Sequence, residues 1–241
     1  MNKYIGTILF IFLQFSIYSQ VNFQDSTVQI VAYWMSGETQ NYEVNSLSYK
    51  IVENDTLDLE KVTYSATISI LDSTQNSYLF AWTINDFNTN IADPDVVKIV
   101  SLLEGAEIHI ATSEMGVFLG ITNFIDIRNY AENKLNILFE NRDSLQRISV
   151  LKGQILNLYS SKEDIENYII DEILQFLSFH GSQYDMNITM KGEYKKENMY
   201  GGNAFDVDVT VSVEEIDLAE NSVVLRMVEK VDSKQLSTAT Y

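Results

Sequence analysis

The sequence predicts an α+β fold in which a mostly antiparallel, curved β-sheet carries a central block of about three helices packed on one face. Apolar residues recur at helical spacing from Thr122 to Gly181. Strand-like alternation of apolar and polar residues precedes and follows that stretch. Strands grouped in this way, rather than alternating strictly with helices, are typical of antiparallel sheets. We expect the helices to lie on the concave side of the sheet.

Two predicted helices open the central block. The first begins at Thr122 or Asn123, because a short side-chain oxygen can accept a hydrogen bond from a free N–H of the first turn, and it extends to Leu138. Its apolar residues follow steps that place them on one helical face. The polar residues 141–143 then interrupt the pattern, and a second helix is predicted over 145–159.

A third helix is predicted from Ser161 to Gly181. Ser161 followed by Asp164 resembles a capping box, and Gly181 after His180 supplies a left-handed turn at the end. Apolar residues cover more than half of its circumference, because three lie off the main face: Ile170, Leu174 and Phe179. Such a helix is either buried between a sheet and another helix or forms the wall of an apolar ligand cavity or partner groove.

The first predicted strand is the apolar stretch over residues 27–35. In the strand that follows, the apolar residues change phase, from Tyr42 and Val44 to Leu47, Tyr49 and Ile51. A regular strand keeps its apolar residues on one face, so the phase change predicts a β-bulge or a bend.

Residues 62–70 and 78–84 alternate between apolar and polar, which predicts a hairpin with one face in solvent. Four aromatic residues share its apolar face: Tyr64, Tyr78, Phe80 and Trp82. Core packing explains this row, and the alternative is a platform for an apolar or carbohydrate ligand.

The stretch from Asn85 to Asp93 is rich in Asn and Asp and is predicted to be a loop. Three of its residues match the first three ligand positions of a calcium-binding loop: Asp86, Asn88 and Asn90. Ile91 and Val97 stand where that loop requires Gly and Glu, so we expect a polar loop with Asx turns. Calcium binding through other ligands, such as Asp93 or Asp95, is the alternative.

A short helix is predicted to begin at Asp93-Pro94, since Asp suits the N-cap and Pro the first helical position, and Gly105 follows its end. Four of its residues are expected to face inward: Val96, Val97, Val100 and Leu103. A strand from Ile108, a tight turn and a returning strand over 117–121 then lead to the helical block.

The segment after the helices predicts three strands, over 184–190, 205–213 and 223–231. A polar loop over 191–202 and a turn over 219–222 join them. Asp232 resembles a helix N-cap, yet the chain stops nine residues later. We therefore expect a truncated chain or a frayed terminus.

The chain has 241 residues, and we predict a single α+β domain over residues 20–241. The alternative is two domains that divide near Gly105 or within the helical block. Hydrophobic residues make up 46%, which is enough for an ordinary core. The formal charge of −18 repels phosphate groups, so the composition argues against nucleic acid as a partner.

Residues 1–19 have the pattern of a cleaved signal peptide. Lys3 supplies a positive start, residues 4–15 an apolar core and residues 16–19 a short polar exit, so cleavage would leave Gln20 first. The apolar run is short for a membrane span, which needs about 20 residues, and no later segment is long enough. We expect a secreted or periplasmic protein, with an uncleaved anchor as the alternative.

The chain has no cysteine, which excludes disulfides, thiol catalysis and thiolate metal sites. A secreted chain of this size without cysteine is typical of bacteria rather than of eukaryotes. The leader ending in Tyr-Ser-Gln and the many Asn, Ile and Tyr residues resemble those of bacterial envelope proteins. This resemblance implies the periplasm or beyond, and no activity.

No residue is predicted to be catalytic, to bind a cofactor or to bind a metal. His109 lies on the polar phase of a strand, and His180 lies at a helix end, where the helix dipole favours a cation. The His-Glu-x-x-His and Gly-x-Ser-x-Gly patterns do not occur. Three acidic residues on one strand face are typical of a solvated sheet surface: Asp206, Asp208 and Glu214.

The sequence therefore favours a secreted or periplasmic, non-catalytic binding protein. Its first expected ligand is an apolar small molecule held between the curved sheet and the central helices, by analogy with envelope carriers. One alternative is a structural or interaction domain without a ligand cavity, whose partner is an envelope protein. Another is a hydrolase with a site assembled from scattered residues. An apolar cavity would favour the carrier, and a filled core would favour the interaction domain.

Overall fold

The computed structural model describes residues 21–52, 55–140, 146–196, 202–217, 219, 222–232 and 234–235. Over these residues the chain forms eleven strands in three mostly antiparallel sheets and five helices, which confirms the α+β class. The predicted single curved sheet with about three helices is wrong, because the last three strands pair only with one another. The predicted signal peptide lies outside the described residues.

The strands are β1 (Val21–Asn22), β2 (Thr27–Ile30), β3 (Thr39–Val52), β4 (Asp55–Ser73), β5 (Ser77–Thr89), β6 (Glu107–Ser113), β7 (Phe118–Ile121), β8 (Ser182–Asp185), β9 (Met190–Lys196), β10 (Phe205–Asp217) and β11 (Ser222–Val231). The helices are α1 (Pro94–Val100), α2 (Phe124–Leu138), α3 (Gln146–Asn157), α4 (Lys162–Tyr168) and α5 (Asp171–Ser178). The sheet orders are β1-β2-β8, β3-β4-β5-β6-β7 and β11-β10-β9. Among the described residues, those before Ile30 and after Ser182 form one compact unit, and those of Ile30–Ser182 form the other.

The unit of residues 30–182 is built on the β4–β5 hairpin that the alternation predicts. Ile68 lies opposite Trp82, so the apolar residues of both strands share one face. The buried members of this face, with those of β6, are Tyr64, Ala66, Ile68, Ile70, Phe80, Trp82, Ile108 and Ile110. Helices α2, α4 and α5 add Ile127, Ala131, Leu135, Ile165, Ile173 and Leu177 to the same core. Burying one such side chain contributes about 1.5–3 kcal/mol, so this core sets the stability of the unit.

The strand predicted over 184–190 is wrong in its middle, because β8 ends at Asp185 and β9 begins only at Met190. Several other predicted strands differ in length from the structure. The first ends at Ile30, not at residue 35, because side chains rather than a partner strand bind the backbone that follows. The Tyr78 hydroxyl donates to the Ala32 carbonyl at 2.9 Å, and the Ser73 hydroxyl donates to the Trp34 carbonyl at 3.0 Å. In contrast, β9 occupies the first half of the predicted loop over 191–202, since it pairs with β10 along its whole length.

The predicted loop from Asn85 to Asp93 is largely strand, because β5 runs to Thr89. Asp86 takes a left-handed φ of 54° where the β4–β5 register shifts. A bulge of this kind absorbs an extra residue and lets the pairing continue, although Asn and Asp are disfavoured in strands.

Helix α1 begins as predicted, with Asp93 accepting hydrogen bonds from the N–H groups of Asp95 and Val96. Its burial differs from the prediction, since Val96 is 40% exposed and Val100 is 46% exposed. The helix lasts only seven residues and has no buried residue, and the core contact comes from the turn after it, where Leu103 is buried.

Helix α2 has the predicted bounds, but Asn123 does not cap it through its side chain. The Asn123 Oδ1 accepts from the His109 N–H at 2.8 Å, and its Nδ2 donates to the Glu107 carbonyl at 2.9 Å. The Asn123 side chain therefore binds the backbone of β6 instead of the first turn of the helix. The predicted interruption over 141–143 lies outside the described residues.

The predicted third helix is two helices, α4 and α5. Ser161 caps α4 as predicted, because its Oγ accepts from the Asp164 N–H at 3.0 Å. The helix is interrupted at Ile169 and Ile170. Ile170 is fully buried immediately before α5 begins. The break turns two different helical faces toward one core, which explains why apolar residues cover so much of the circumference of a single straight helix.

The β9–β10–β11 sheet belongs to the other unit and contains the regular strand predicted over 205–213. Phe205 and Val207 are buried, whereas Val209 and the apolar residues after it are only half-buried. Asp232 accepts hydrogen bonds from the N–H groups of residues 234 and 235, as expected of an N-cap. The residues after 235 lie outside the described part of the chain.

Candidate functional site

The β3–β4 hairpin extends beyond the rest of its sheet. β5 pairs with β4 from Val62 onward, so residues Asp55–Glu60 of β4 pair only with β3 among the described strands. We call residues Asn45–Val52 of β3 and Asp55–Lys61 of β4 the β-arm. At about 3.4 Å per residue, the β-arm extends about 20 Å beyond the Val62–Thr89 pair.

The phase change in β3 marks the base of the β-arm. Pairing runs from Val44–Tyr64 to Leu47–Lys61 without a register shift. Tyr64 is buried in the core, so alternation places Val44 on the core side and Leu47 on the opposite side. The register shift comes later, after Ser48. Of the predicted bulge or bend, a bulge at the phase change itself is therefore wrong, and the apolar residues change face because the strand leaves the core.

One side of the β-arm carries exposed apolar side chains. Leu47 is 57% exposed, Tyr49 is 55% exposed and Leu59 is 51% exposed. Tyr49 is two residues from Leu47, and Leu59 is two residues from Lys61, which pairs with Leu47, so all three lie on one side. The exposed Lys61 lies on the same side at the base of the β-arm. Single exposed apolar residues are common on protein surfaces, but three neighbouring ones on one side of a two-stranded ribbon form a surface that suits a partner.

The outer edge of β3 is open, because β3 ends its sheet among the described strands. Over its 14 residues β3 carries two charged residues, Glu43 and Lys50, and no proline. The other long edge strands carry more charge, with four charged residues of seven in β9 and three of ten in β11. The described edge strands β1, β7 and β8 have only two to four residues. Charge and short length keep an edge from pairing with another chain, and β3 has little of either protection.

Asn90 holds the base of the β-arm. Its Oδ1 accepts from the Lys61 N–H at 2.7 Å, and its Nδ2 donates to the Leu59 carbonyl at 2.8 Å. Its own N–H donates to the Lys61 carbonyl at 3.2 Å. Asn90 thus continues the sheet one step beyond Thr89 and connects the β-arm to it.

Three acidic residues of the calcium-like pattern and its proposed alternatives also bind protein groups. The Asp86 carboxylate accepts from the Ser65 hydroxyl at 3.2 Å, Asp93 caps α1, and Asp95 lies 3.5 Å from the Lys98 ammonium. In the described part of the chain, no three His, Cys, Asp or Glu side chains are grouped so that they could hold a metal ion.

The predicted aromatic row lies inside the core. The Trp34 ring centroid is 5.4 Å from those of Tyr78 and Phe80, and the Phe176 centroid is 5.5 Å from that of Trp82. These rings meet edge to face, and Phe80 and Trp82 are fully buried. Core packing therefore accounts for the row, and its central rings offer no open platform.

The two histidines lie in different surroundings. The His109 Nε2 is 3.3 Å from the Glu107 carboxylate on the partly exposed face of β6. His180 packs between Trp34 and Phe176, with ring centroids 5.6 Å and 5.0 Å away. Burial lowers the pKa of His180 and so opposes the cation that the helix dipole favours at this end.

The acidic residues of β10 lie on a charged sheet face. Glu214 pairs with Arg226 at 2.9 Å. The Lys195 ammonium hydrogen-bonds Asp206 and lowers the pKa of that carboxyl. This face includes an open concavity of about 910 Å³, whose charged lining residues are Lys191, Glu193, Asp208, Arg226 and Lys230. Charges of both signs alternate across the strands, as expected of a solvated face.

The apolar side and the open edge of the β-arm together form the candidate site. Its signal in the sequence is the phase change of β3, which predicted a bulge or a bend. Among the described residues no helix is long and apolar enough to cross a membrane. Comparison of the chain with models of protein families, with curated proteins and with solved structures gave no match.

Proposed function

We propose that this protein is a non-catalytic interaction module of the bacterial envelope that binds another protein through the β-arm. One observation carries the proposal: Leu47, Tyr49 and Leu59 present an apolar side on a ribbon that has left its own core. In this proposal the leader over residues 1–19 directs the chain to the periplasm or beyond.

The side and the edge of the β-arm contribute differently to binding. Each of the three apolar side chains is about half exposed, so covering all three yields about 2–4 kcal/mol, half of the value for full burial. Each hydrogen bond that a partner strand makes to the edge of β3 adds about 0.5–1.5 kcal/mol. A partner that uses both surfaces therefore binds more tightly than one that uses either alone.

Matched triple variants test the proposal. The arm variant carries Leu47→Asp, Tyr49→Asp and Leu59→Asp. The control variant carries Leu119→Asp, Ile125→Asp and Ile137→Asp, at positions that are 62%, 59% and 69% exposed in the same unit. Both add three negative charges and leave the core intact.

The readout is quantitative mass spectrometry of proteins cross-linked to the chain in its own host. We expect specific proteins to be recovered with the wild type and the control variant and to be lost with the arm variant. Circular dichroism checks that both variants fold. Recovery of the same proteins with a folded arm variant would refute the proposal.

A carrier of an apolar ligand, held between the helices and the five-stranded sheet, is the second candidate. Two buried polar atoms, Trp82 Nε1 and Thr112 Oγ1, have no hydrogen-bond partner among the described residues. They favour the carrier, because a ligand held beside them could supply the missing hydrogen bonds. The Phe176 ring packs beside Trp82 and leaves less room for a ligand. Native mass spectrometry tests it: a lipid-like mass lost on denaturation supports the carrier, and a bare protein mass counts against it.

A further inference from the structure

We propose that the edge of the β-arm pairs with the same edge of a second copy of this chain. The two β3 strands run antiparallel, with Ser48 at the twofold axis. This inference rests on the proposed function, because it names a partner for the same β-arm. It draws on the regularity of β3, on the match between the two edges and on their charges.

The edge of β3 stays regular through the β-arm. Ser48 and Lys50 are two residues apart on β3, whereas their partners Glu60 and Leu57 are three residues apart on β4. The extra residue therefore belongs to β4, and β3 keeps an extended backbone to its end. A continuous strand without bulge or proline suits pairing with a second strand.

Pairing about Ser48 brings Leu47 and Tyr49 of the two copies together and Val44 opposite Val52, whereas Ile51 comes opposite Asn45. The overlap covers nine residues, Val44–Val52, up to the end of β3. It places Leu47 of each copy opposite Tyr49 of the other, so that two aliphatic–aromatic pairs form on the exposed apolar side. The interface thus covers Leu47 and Tyr49, two of the three exposed apolar side chains described on the β-arm.

The charges also favour this register. Lys50 is the one charged residue in the overlap, and it comes opposite Ser46, so that no like charges face each other. An axis at Leu47 would place Lys50 opposite Val44. An axis at Tyr49 would shorten the overlap to about seven residues, and each lost pair removes backbone hydrogen bonds.

The antiparallel arrangement keeps the cores of the two units of Ile30–Ser182 apart. Each chain has a formal charge of −18. Tyr42, which packs against the core, lies twelve positions along the strand from Tyr42 of the second copy, or about 41 Å at about 3.4 Å per residue. The screening length at physiological salt is about 8 Å, so most of the repulsion between these two cores is screened. We expect pairing to strengthen as the salt concentration rises.

The overlap is small for a stable dimer. Nine residues span about 31 Å, and a strand with its side chains is about 10 Å thick, so about 600 Å² is buried in total. Stable interfaces bury about 1,200–2,000 Å². The pairing is therefore weak and reversible, and it depends on protein concentration.

Sedimentation velocity of the full chain measures the pairing. We use about 10 μM to about 1 mM protein, the range that suits so small an interface. The wild-type mass should rise from one copy toward two across this range. Ser48 is exposed, and Ser48→Lys places like charges at the axis and should weaken pairing about fivefold. Ser222→Lys adds the same charge at an exposed position of β11 and should leave pairing unchanged.

A charge exchange makes the test specific to the register. Ser48→Glu should also weaken pairing, but an equal mixture of Ser48→Lys and Ser48→Glu should pair more tightly than either variant alone. A wild type that stays monomeric throughout, or a mixture that pairs no better than its components, overturns the inference. If the wild type is monomeric but the arm variant still loses its partner protein, the proposed function stands and only the self-pairing fails.

Discussion

Gly116 lies at a close approach that a single methyl group would disturb. It sits in the turn between β6 and β7 with a φ of 86°, in the left-handed region that favours glycine. A Cβ built there would lie 2.9 Å from the His180 Cβ and 3.1 Å from its Cγ. Gly181 meets the same turn from the other side, since a Cβ on it would lie 2.9 Å from the Val117 Cγ2. The β6–β7 turn therefore packs against the end of α5. Gly116→Ala should force the turn away from His180.

The expected cost has two parts, and a second glycine isolates one of them. A left-handed backbone costs a residue with a Cβ about 1–2 kcal/mol. Overpacking against the imidazole adds about 1–3 kcal/mol, because the contact is made at the Cβ, which cannot swing away. Gly37 has nearly the same φ, 87°, but no atom within 4 Å of an added Cβ. Gly37→Ala should therefore cost only the first part, and Gly116→Ala about 2–5 kcal/mol in total.

Urea unfolding of the two variants, followed by fluorescence of the two tryptophans, measures the difference. With a slope of about 1–3 kcal/mol per M urea, an extra cost of about 2 kcal/mol lowers the midpoint of Gly116→Ala by about 1 M relative to Gly37→Ala. Equal midpoints for the two variants would refute the reasoning, because they would mean that the β6–β7 turn does not contact His180.

Stability should fall as the pH drops through about 6.5 and lower, because burial lowers the pKa of His180 and the unfolded chain takes up the proton first. Thermal unfolding of the wild type and of His180→Gln from about pH 7.5 to pH 5 measures this, and parallel curves would contradict it. Ser161→Ala should lower the free energy of unfolding by about 1 kcal/mol through the lost cap of α4, as measured in urea. Ser160→Ala leaves the Ser161 cap in place and serves as the control. Equal losses of unfolding free energy in the two variants would contradict the role of Ser161 as the cap. Asn90→Ala should speed hydrogen exchange of the Lys61 amide, because that amide loses its acceptor. The exchange rate of the Ile68 amide should stay the same and serves as the control. An unchanged rate at Lys61 would contradict the role of Asn90 at the base of the β-arm.

Features set by neighbours in the chain follow from the sequence. The β4–β5 hairpin has its predicted alternation, and Asp93 and Ser161 cap their helices as predicted. Each depends on residues a few positions apart, where side-chain chemistry and backbone geometry leave few choices. The same reasoning misassigned Asn123, because its side chain binds the backbone of a strand distant in the chain.

The candidate site could be read from the sequence only in part. The change from Val44 to Leu47 was visible as a change of phase, but its meaning depends on where β5 stops pairing with β4. An exposed Leu47 and a buried one have the same local pattern. Only the end of the neighbouring strand decides that the β-arm leaves the core and that its apolar side faces solvent.

The sequence by itself determined the α+β class, the acidic and cysteine-free composition and the main hairpin, because these follow from composition and short-range periodicity. The tertiary structure alone decided how the strands divide among three sheets, where α4 breaks from α5 and which edge of β3 stays open. Sheet membership and burial depend on contacts between residues far apart in the chain, and local propensity does not specify those contacts.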